Sequence, residues 1–138
     1  MGPTSDAAAI VGSSVSAADN LGRAFVDALS RKDFAEMSTQ VLDREIDFRG
    51  LTPGRSWEAS GSRAVIEDVL SQWFEESDHI DEVISVDTGS VADRQHLAYR
   101  LRGSNPDGSF VVEQQAYFTE RDGRIDWMRV LCSGFRPQ

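Results

Sequence analysis

The sequence predicts an α+β fold in which three N-terminal helices pack on one face of a curved, mainly antiparallel sheet. Apolar residues in the first half of the chain recur at helical spacing, whereas the second half contains four runs with strand-like alternation. Turn-forming residues separate these runs at Asp93, at residues 105–108 and at Asp122-Gly123. Helices followed by an antiparallel meander form a layer of helices on a single sheet.

The first two helices are predicted from a stripe and a break. Ser16 or Asp19 can cap the first helix. Its apolar residues recur four positions apart, at Leu21, Phe25 and Leu29. Lys32-Asp33 ends this helix, and residues 34–39 form a second, short one.

The third helix and the strands complete the prediction. Ser60 or Ser62 can cap the third helix. One of its faces is apolar and contains Val65, Ile66, Val69, Leu70, Trp73 and Phe74. We expect a strand at 41–49, a loop at 51–60, and further strands at about 80–91, 94–103, 110–120 and 124–134.

Length and charge limit the possible functions. The 138 residues suit one domain, and we expect residues 1–17, which are rich in Ala, Ser and Gly, to be a disordered tail before a single domain at 18–138. The formal net charge of −9 argues against nucleic acid and anionic membranes as partners, because both favour basic surfaces.

Cellular location is predicted from cysteine usage and hydropathy. Cys132 is the only cysteine, which excludes an intramolecular disulfide and fits a reducing cytoplasm. No apolar run approaches the ~20 residues that span a bilayer. The apolar run at residues 7–11 is short and no basic residue precedes it, so we expect no signal peptide.

Three consecutive polar residues interrupt the strand at 110–120. Alternation places Glu113, Gln115 and Tyr117 on one face and Gln114 with its even-numbered neighbours on the other. Either orientation turns a polar side chain inward, where it is costly unless it is hydrogen-bonded. The strand therefore indicates a lined cavity more than a dry core.

Several fragments in this order resemble the NTF2-like superfamily, which includes ketosteroid isomerases, SnoaL-like polyketide cyclases and limonene-epoxide hydrolases. They are Phe25-Val-Asp-Ala-Leu29 followed by Lys32-Asp-Phe34, Ser60-Gly61 before the long helix, and Asp122-Gly-Arg-Ile125 leading into Met128-Arg-Val-Leu131. The resemblance covers roughly residues 19–135 and implies a cone-shaped fold with an internal pocket. It does not imply one reaction, because the superfamily hosts many functions.

The catalytic residues of these families do not match. The resemblance to ketosteroid isomerases aligns their strand acid with Gln115 and their helix tyrosine with Phe25. Their proton-shuttle acid falls at 48–50, beside Asp47, which lies on the alternate face. The set Asp-Arg-Asp of the epoxide hydrolases has no inward equivalent. His96 and Asp126 match the cyclase pair by type, but both fall on the outward phase.

The same alignment implies that the Gln115 face lines the pocket. Glu113, Gln115 and Tyr117 would then point inward with Leu97, Tyr99, Leu101, Met128, Val130, Cys132 and Trp73. Buried Glu113 could act as general acid or base, or pair instead with Arg100 or Arg129. Gln115 could stabilise an oxyanion or be a structural amide. Asp47 is the next catalytic candidate.

Two functions follow from the resemblance. The first is a small cofactor-independent enzyme for acid/base cyclisation or isomerisation of a hydrophobic, polyketide-like or terpenoid-like metabolite. The second is a non-catalytic ligand-binding or assembly module. We expect no metal, because His79 between Asp78 and Asp81 lacks ligand spacing.

The outer sheet face is expected to form a homodimer interface, since cone-fold proteins commonly pair there. The side chains expected on it are Gln114, Ala116, Phe118, Trp127, Arg129 and Leu131.

Overall fold

Three helical segments pack on a seven-stranded curved sheet in the computed structural model, which describes residues 17–138. Helix α1 (Ala17–Ser30) turns its predicted apolar stripe towards the sheet. Ser16 and the rest of the predicted tail up to residue 16 lie outside the described residues. Within the described chain, no helix is both long and apolar enough to cross a membrane.

The break after α1 occurs where it was predicted. Lys32 has a φ of 54°, which an α-helix cannot continue through. Asp33 then caps helix α2 (Phe34–Glu36), because its Oδ1 accepts the Glu36 N–H at 3.0 Å. The chain continues as a π-helical turn over Met37–Val41.

The third helix runs through three consecutive segments. They are α3 (Ser62–Ala64), a π-helical turn (Val65–Leu70) and α4 (Ser71–Trp73). Neither Ser60 nor Ser62 caps the helix as predicted, since the capping position belongs to Gly61 with a φ of 91°. The Gly61 N–H instead donates to the Ile46 carbonyl at 2.7 Å, so the helix start is tied to the first strand.

The sheet is antiparallel except for one pair of strands. Its members are β1 (Leu42–Thr52), β2 (Arg55–Ser60), β3 (His79–Val91), β4 (Arg94–Asn105), β5 (Gly108–Arg121), β6 (Arg124–Cys132) and β7 (Arg136–Pro137). They lie in the order β2-β1-β6-β5-β4-β3, and β7 pairs with β5. Among the strand pairs of residues 17–138, only β1 and β6 run parallel. The predicted α+β class with a mainly antiparallel sheet is confirmed.

The loop predicted at 51–60 is wrong, because this segment forms a hairpin. β2 pairs with β1 in a register that joins Thr52 to Arg55. Pro53-Gly54 makes the turn, with Gly54 at a φ of 76° that glycine adopts without strain. β2 is an edge strand with mostly exposed side chains, so it lacks the apolar alternation by which strands are recognised.

The register of the last hairpin shifts by one residue close to its turn. Glu120 pairs with Ile125, but Thr119 pairs with Trp127, so Asp126 is left over as a bulge. Farther along, Gln114 therefore lies opposite Cys132, and the inner face of β5 consists of Phe110, Val112, Gln114, Ala116 and Phe118. A one-residue slip moves every side chain of a strand to the other face.

Gly50 on the sheet makes room for the indole of Trp73 on the third helix. A Cβ added to Gly50 would lie 2.6 Å from Cη2 of Trp73, so only glycine fits beneath this indole. Phe48, fully buried next to it on β1, packs against the same ring at 5.9 Å between centroids. The indole is therefore fixed at one end of the apolar core.

We expect Gly50→Ala to destabilise the protein by about 1–3 kcal/mol, the usual cost of overpacking a core. Gly89→Ala is the matched control, because it also changes a strand glycine but its new Cβ would meet nothing within 4 Å. We expect that control to stay within about 0.5 kcal/mol of wild type. Urea unfolding monitored by circular dichroism measures both, and equal midpoints would contradict the packing described.

Candidate functional site

A cavity of about 500 Å³ lies where the inner sheet face meets the end of the third helix and the C-terminal segment. Its volume lies within the usual range of small-molecule sites. Aromatic and polar side chains line it, including Trp57, Trp73, Phe74, Gln114, Cys132 and Phe135. Three carboxylate residues, Glu75, Asp78 and Asp107, also border it.

Three inward residues form one row across the sheet at this cavity. Tyr99 of β4 lies opposite Gln114 of β5, which in turn lies opposite Cys132 of β6. All three are buried, and Gln114 is only 2% exposed. The Tyr99 hydroxyl donates to Oε1 of Gln114, which fixes the amide and leaves its Nε2 with no partner among the described residues.

Burial determines the protonation state of Tyr99. Loss of solvent raises the pKa of its phenol well above the ordinary value, and the nearby Cys132 adds to the rise. Tyr99 is therefore a neutral donor at physiological pH. Its bond to the amide oxygen polarises the amide, which strengthens Nε2 as a donor.

Trp73 supplies a second unpartnered donor to the cavity. Its Nε1 is buried and has no acceptor within residues 17–138. The ring is held edge-on by Trp57, with centroids 6.0 Å apart, and Trp57 is itself fixed by a 2.8 Å bond from its Nε1 to Oγ1 of Thr52. Buried donors without acceptors are costly. Gln114 and Trp73 both line the cavity, so a water molecule or a ligand oxygen there can supply the missing acceptor.

Asp78 is the carboxylate that this site buries. It is 7% exposed and follows the third helix. Its Oδ2 accepts the Glu75 N–H at 2.9 Å and its Oδ1 accepts Nδ2 of Asn105 at 3.0 Å. Lys32 Nζ donates to the backbone carbonyls of Glu75 and Asp78 and so fixes the loop that contains them.

The prediction that Glu113, Gln115 and Tyr117 point into the pocket is wrong. Glu113 is exposed on the outer face and pairs with Arg100, with Nη2 and Oε2 2.7 Å apart, as its alternative interpretation had it. Gln115 Oε1 lies 3.1 Å from Nε2 of His96. The cause is the bulge at Asp126, because a hairpin without it would place Gln115 opposite Val130 and turn it inward.

The outer face consequently differs from its prediction. Gln114, Ala116 and Phe118 are buried inside, and the outer side of β5 carries Glu113, Gln115 and Tyr117 beside Trp127 and Leu131 of β6. The catalytic roles assigned to Glu113 and Gln115 depended on the inward orientation and lose their structural basis.

The other predicted catalytic groups also lie outside the cavity. Asp47 is exposed and pairs with Arg129 at 3.1 Å, on the alternate face where the sequence placed it. Asp126 accepts a 2.6 Å bond from the Thr119 hydroxyl at the bulge. His96 lies beside Tyr117, with ring centroids 5.0 Å apart. The outward phase predicted for His96 and Asp126 agrees with these positions.

The remaining predicted binding residues are on the inner face. Trp73 and Cys132 line the cavity. Tyr99 lies beside Gln114 on the neighbouring strand and donates to it. Leu97 and Met128 are fully buried in the apolar core. That any of them binds a ligand stays a prediction.

Gln114 and Asp78 are the site residues that the sequence did not single out. Alternation had already separated Gln114 from its neighbours, so only the register of the hairpin was missing. Asp78 lacks a local signal, because its side-chain partner Asn105 lies 27 residues away in the chain. In the described part of the chain, no three His, Cys, Asp or Glu side chains are grouped to hold a metal ion.

Solved structures share this architecture. A Bacillus subtilis protein provisionally described as an isomerase superposes with a TM-score of 0.71 at 16% identity, covering 85% of this chain and 86% of that one. A provisionally described polyketide cyclase from Xanthomonas campestris pv. campestris gives 0.65 at 20% identity, covering 83% and 89%. An LEH-like epoxide hydrolase from M. tuberculosis gives 0.62 at 16% identity, covering 85% and 83%.

The chain has the NTF2-like cone fold. The resemblance seen in the sequence is thereby confirmed for the fold. No protein-family model matches the sequence, and no curated protein matches it either. At these identities the structural likeness establishes the fold alone, so the reaction must be argued from the cavity.

A double-mutant cycle tests the bond between Tyr99 and Gln114. Tyr99→Phe strands the amide oxygen and Gln114→Leu strands the phenol, so each should cost about 1–3 kcal/mol of unfolding free energy. The double variant removes both partners and should cost at least ~0.5 kcal/mol less than the sum. Tyr117→Phe, on the outer face, is the control and should change little. Additive losses in urea unfolding would show that the bond is absent.

The raised pKa of Tyr99 predicts a pH dependence of stability. Its contribution is complete below the unfolded pKa of about 10 and is lost as pH rises towards the folded pKa, because only the unfolded state then releases the proton. Above pH ~10 the unfolding free energy should fall by up to about 1.4 kcal/mol per pH unit more in wild type than in Tyr99→Phe. Parallel curves between pH ~9 and ~11 would contradict the burial of this phenol.

Proposed function

We propose that the protein is a small cofactor-independent enzyme that binds a hydrophobic, oxygenated molecule in the cone cavity and isomerises or cyclises it by acid/base chemistry. The observation that carries the proposal is the buried Nε2 of Gln114, which has no partner in the described chain and belongs to a residue that lines the cavity. A polyketide-like or terpenoid-like metabolite is the class of substrate we favour, because such molecules combine apolar surface with carbonyl oxygens.

Binding would use the aromatic wall and the two free donors. Trp57 and Phe135, which are both partly exposed, offer apolar surface to rings or chains of the substrate. In this proposal the carbonyl oxygen of the substrate accepts from Nε2 of Gln114 and from Nε1 of Trp73, the two buried donors that lack partners in the described chain. An apolar molecule without an acceptor would leave them unsatisfied.

The chemistry we propose is enolisation with Asp78 as the base. Asp78 takes a proton from the carbon next to the substrate carbonyl, and the electrons of that C–H bond form the enolate. The N–H donors of Gln114 and Trp73 stabilise the charge that develops on its oxygen. In a substrate with a β,γ double bond the enolate is conjugated, so Asp78 can return the proton to the γ carbon, and the double bond moves to the α,β position, which gives an isomer. Alternatively, the enolate carbon attacks a second carbonyl, which closes a ring, and the proton goes to the new alkoxide.

Asp78 is favoured because the cavity buries it. Glu75 and Asp107 are exposed, and Glu113 and Asp47 lie on the other side of the sheet. Each carboxylate oxygen of Asp78 accepts one N–H bond, and the group has further lone pairs to take a proton.

The second candidate function is a binding module without turnover. The bonds that Asp78 accepts from Glu75 and Asn105 also close the loop at the cavity, and a purely structural carboxylate would make the same bonds. The structural neighbours, two of them provisionally described as an isomerase and a polyketide cyclase and one an LEH-like epoxide hydrolase, favour the enzyme. A proton-exchange experiment separates the two functions.

The outer sheet face is proposed as a homodimer interface. Leu51 and Leu131 lie side by side on it, 52% and 58% exposed, next to a groove of about 520 Å³. Charges of both signs surround the groove, with Arg49 and Arg129 near Glu58. A second copy related by a two-fold axis can place opposite charges together. Trp127 lies at the edge of this face, between the guanidinium groups of Arg94 and Arg129.

Leu131→Glu should therefore lower the affinity of the dimer by at least about tenfold, because it buries a charge in the proposed interface. Val91→Glu is the control, since it is 53% exposed at the far hairpin end of β3. Sedimentation velocity at micromolar concentration reports the oligomeric state. A monomeric wild type, or a Leu131→Glu protein that pairs as tightly as wild type, would refute the interface.

Deuterium exchange tests the proposed chemistry without knowledge of the natural substrate. We expect the protein to accelerate exchange of the protons next to the carbonyl of 4-phenyl-2-butanone in D₂O, followed by NMR. Asp78→Asn should lose about 100- to 10,000-fold of that acceleration, and Gln114→Leu about 100- to 1,000-fold. Glu113→Gln makes the same chemical change as Asp78→Asn but outside the cavity, and should exchange at the wild-type rate.

Two results would overturn parts of this proposal. If wild type binds the ketone but does not accelerate exchange, the protein is a binding module. If thermal unfolding shows that Asp78→Asn is folded and this variant still accelerates deuterium exchange of the ketone at the wild-type rate, another group is the base.

A further inference from the structure

The mouth of the cavity is acidic. Glu75, Asp78 and Asp107 line it, whereas no lysine or arginine among residues 17–138 does so. Glu75 and Asp107 are exposed, and neither side chain forms an ion pair with the described residues. Two carboxylates at this mouth are therefore free to pair with a ligand.

Two basic side chains that contact residues of the cavity lining, Lys32 and Arg55, already have partners. Lys32 lies behind the loop, where its Nζ donates to the carbonyl oxygens of Glu75 and Asp78. The guanidinium of Arg55 stacks on the ring of Trp57 at 3.5 Å from the centroid. Neither side chain belongs to the cavity lining, so the charged side chains that line the mouth are all acidic.

Aromatic rings lie beside these carboxylates. Phe74 and Phe135, with centroids 5.8 Å apart, are part of the same wall as Trp57. The ring of Trp57 already carries the guanidinium of Arg55 and the ring of Phe135 stacks on Phe110, so the attraction for a cation comes from the carboxylates. An organic amine with an apolar body is the chemical class that fits carboxylates bordered by apolar rings.

The inner end of the cavity favours a hydrogen-bond acceptor, whereas the mouth favours a cation. Gln114 and Trp73, whose side chains carry the unpartnered N–H groups, are buried there at 2% and 9% exposure, and these groups lack an acceptor in the described chain. They are an observation independent of the acidic mouth, and they indicate that the cavity is built for a ligand.

We propose that the ligand is bipolar, with a carbonyl oxygen at the inner donors of Gln114 and Trp73 and a cationic amine at the mouth beside Glu75 and Asp107. The inference rests on the proposed function for the carbonyl end and adds the amine. A ligand with a carboxylate at the outer end is rejected, because it would face three carboxylates without a counter-cation.

Three probes on one scaffold test the amine. They are 4-phenyl-2-butanone, its ring derivative with a para aminomethyl group and its derivative with a para carboxylate, which at pH ~7 are neutral, cationic and anionic. Titration followed by ¹H–¹⁵N NMR gives their Kd values and resolves the indole N–H of Trp73 as well. We expect the amine to bind about tenfold more tightly than the neutral ketone and the carboxylate about tenfold more weakly.

Two matched double variants locate the effect. Glu75→Gln with Asp107→Asn should reduce the ratio between the Kd values of the neutral ketone and the amine to about one. Glu76→Gln with Glu120→Gln removes the same number of exposed charges away from the cavity lining and should keep the tenfold ratio. This control separates the acidic mouth from the net charge of −9.

Each outcome decides the inference. Equal Kd values for the three probes would overturn the amine, and a preference that survives in Glu75→Gln with Asp107→Asn would overturn its place beside these carboxylates. Both results leave the proposed enolisation intact. If the ketone binds without deuterium exchange but the amine preference holds, the enzyme proposal fails and the ligand class stands. If none of the probes binds, both are wrong.

Discussion

The bulge at Asp126 determines which side chains of the central strands face the cavity. Asp126 adds one residue to β6 between the pair Glu120–Ile125 and the pair Thr119–Trp127. Beyond the bulge, Gln114 lies opposite Cys132 and faces inward with it, whereas Gln115 faces outward. A 2.6 Å hydrogen bond from the Thr119 hydroxyl of β5 to the Asp126 carboxylate joins the bulge to the neighbouring strand. The inner amide and the exposed Glu113 both follow from this one insertion.

Once the register is set, the polar row across the sheet has a cost that packing alone does not explain. Tyr99 satisfies one side of the Gln114 amide, and the other side lacks a partner in the described chain. An apolar residue of similar volume at position 114, with phenylalanine at 99, would leave fewer stranded groups. The row is therefore costly for packing alone, which supports the proposal that a molecule occupies the cavity. The free Nε1 of Trp73 supports the same conclusion from another element.

Features set by neighbouring residues were predictable from the sequence, and features set by distant pairings were not. The stripe of α1 and its end at Lys32 depend on side chains within one or two turns, and both were predicted. The hairpin at 51–60 was missed because an exposed edge strand has no apolar alternation to show. The composition of the two faces of β5 was correct, but their orientation depended on a bulge that leaves no mark in the alternation itself. Asp78 required its contact with Asn105, which only the folded chain brings together.

The cavity also shows how charge can be local in an acidic protein. A net charge of −9 spread over the surface would be screened within about 8–10 Å at physiological salt. The carboxylates at the mouth differ from the other acids because the loop that carries two of them is fixed by Lys32 through backbone carbonyls, not through the carboxylates. Glu113 and Asp47, in contrast, are paired with Arg100 and Arg129 on the outer face. Arginines thus neutralise acids on the side proposed for a second copy, while the cavity side keeps unpaired acids outside and unpaired N–H donors inside. A ligand that satisfies both sets must carry its positive charge and its acceptor oxygen at opposite ends.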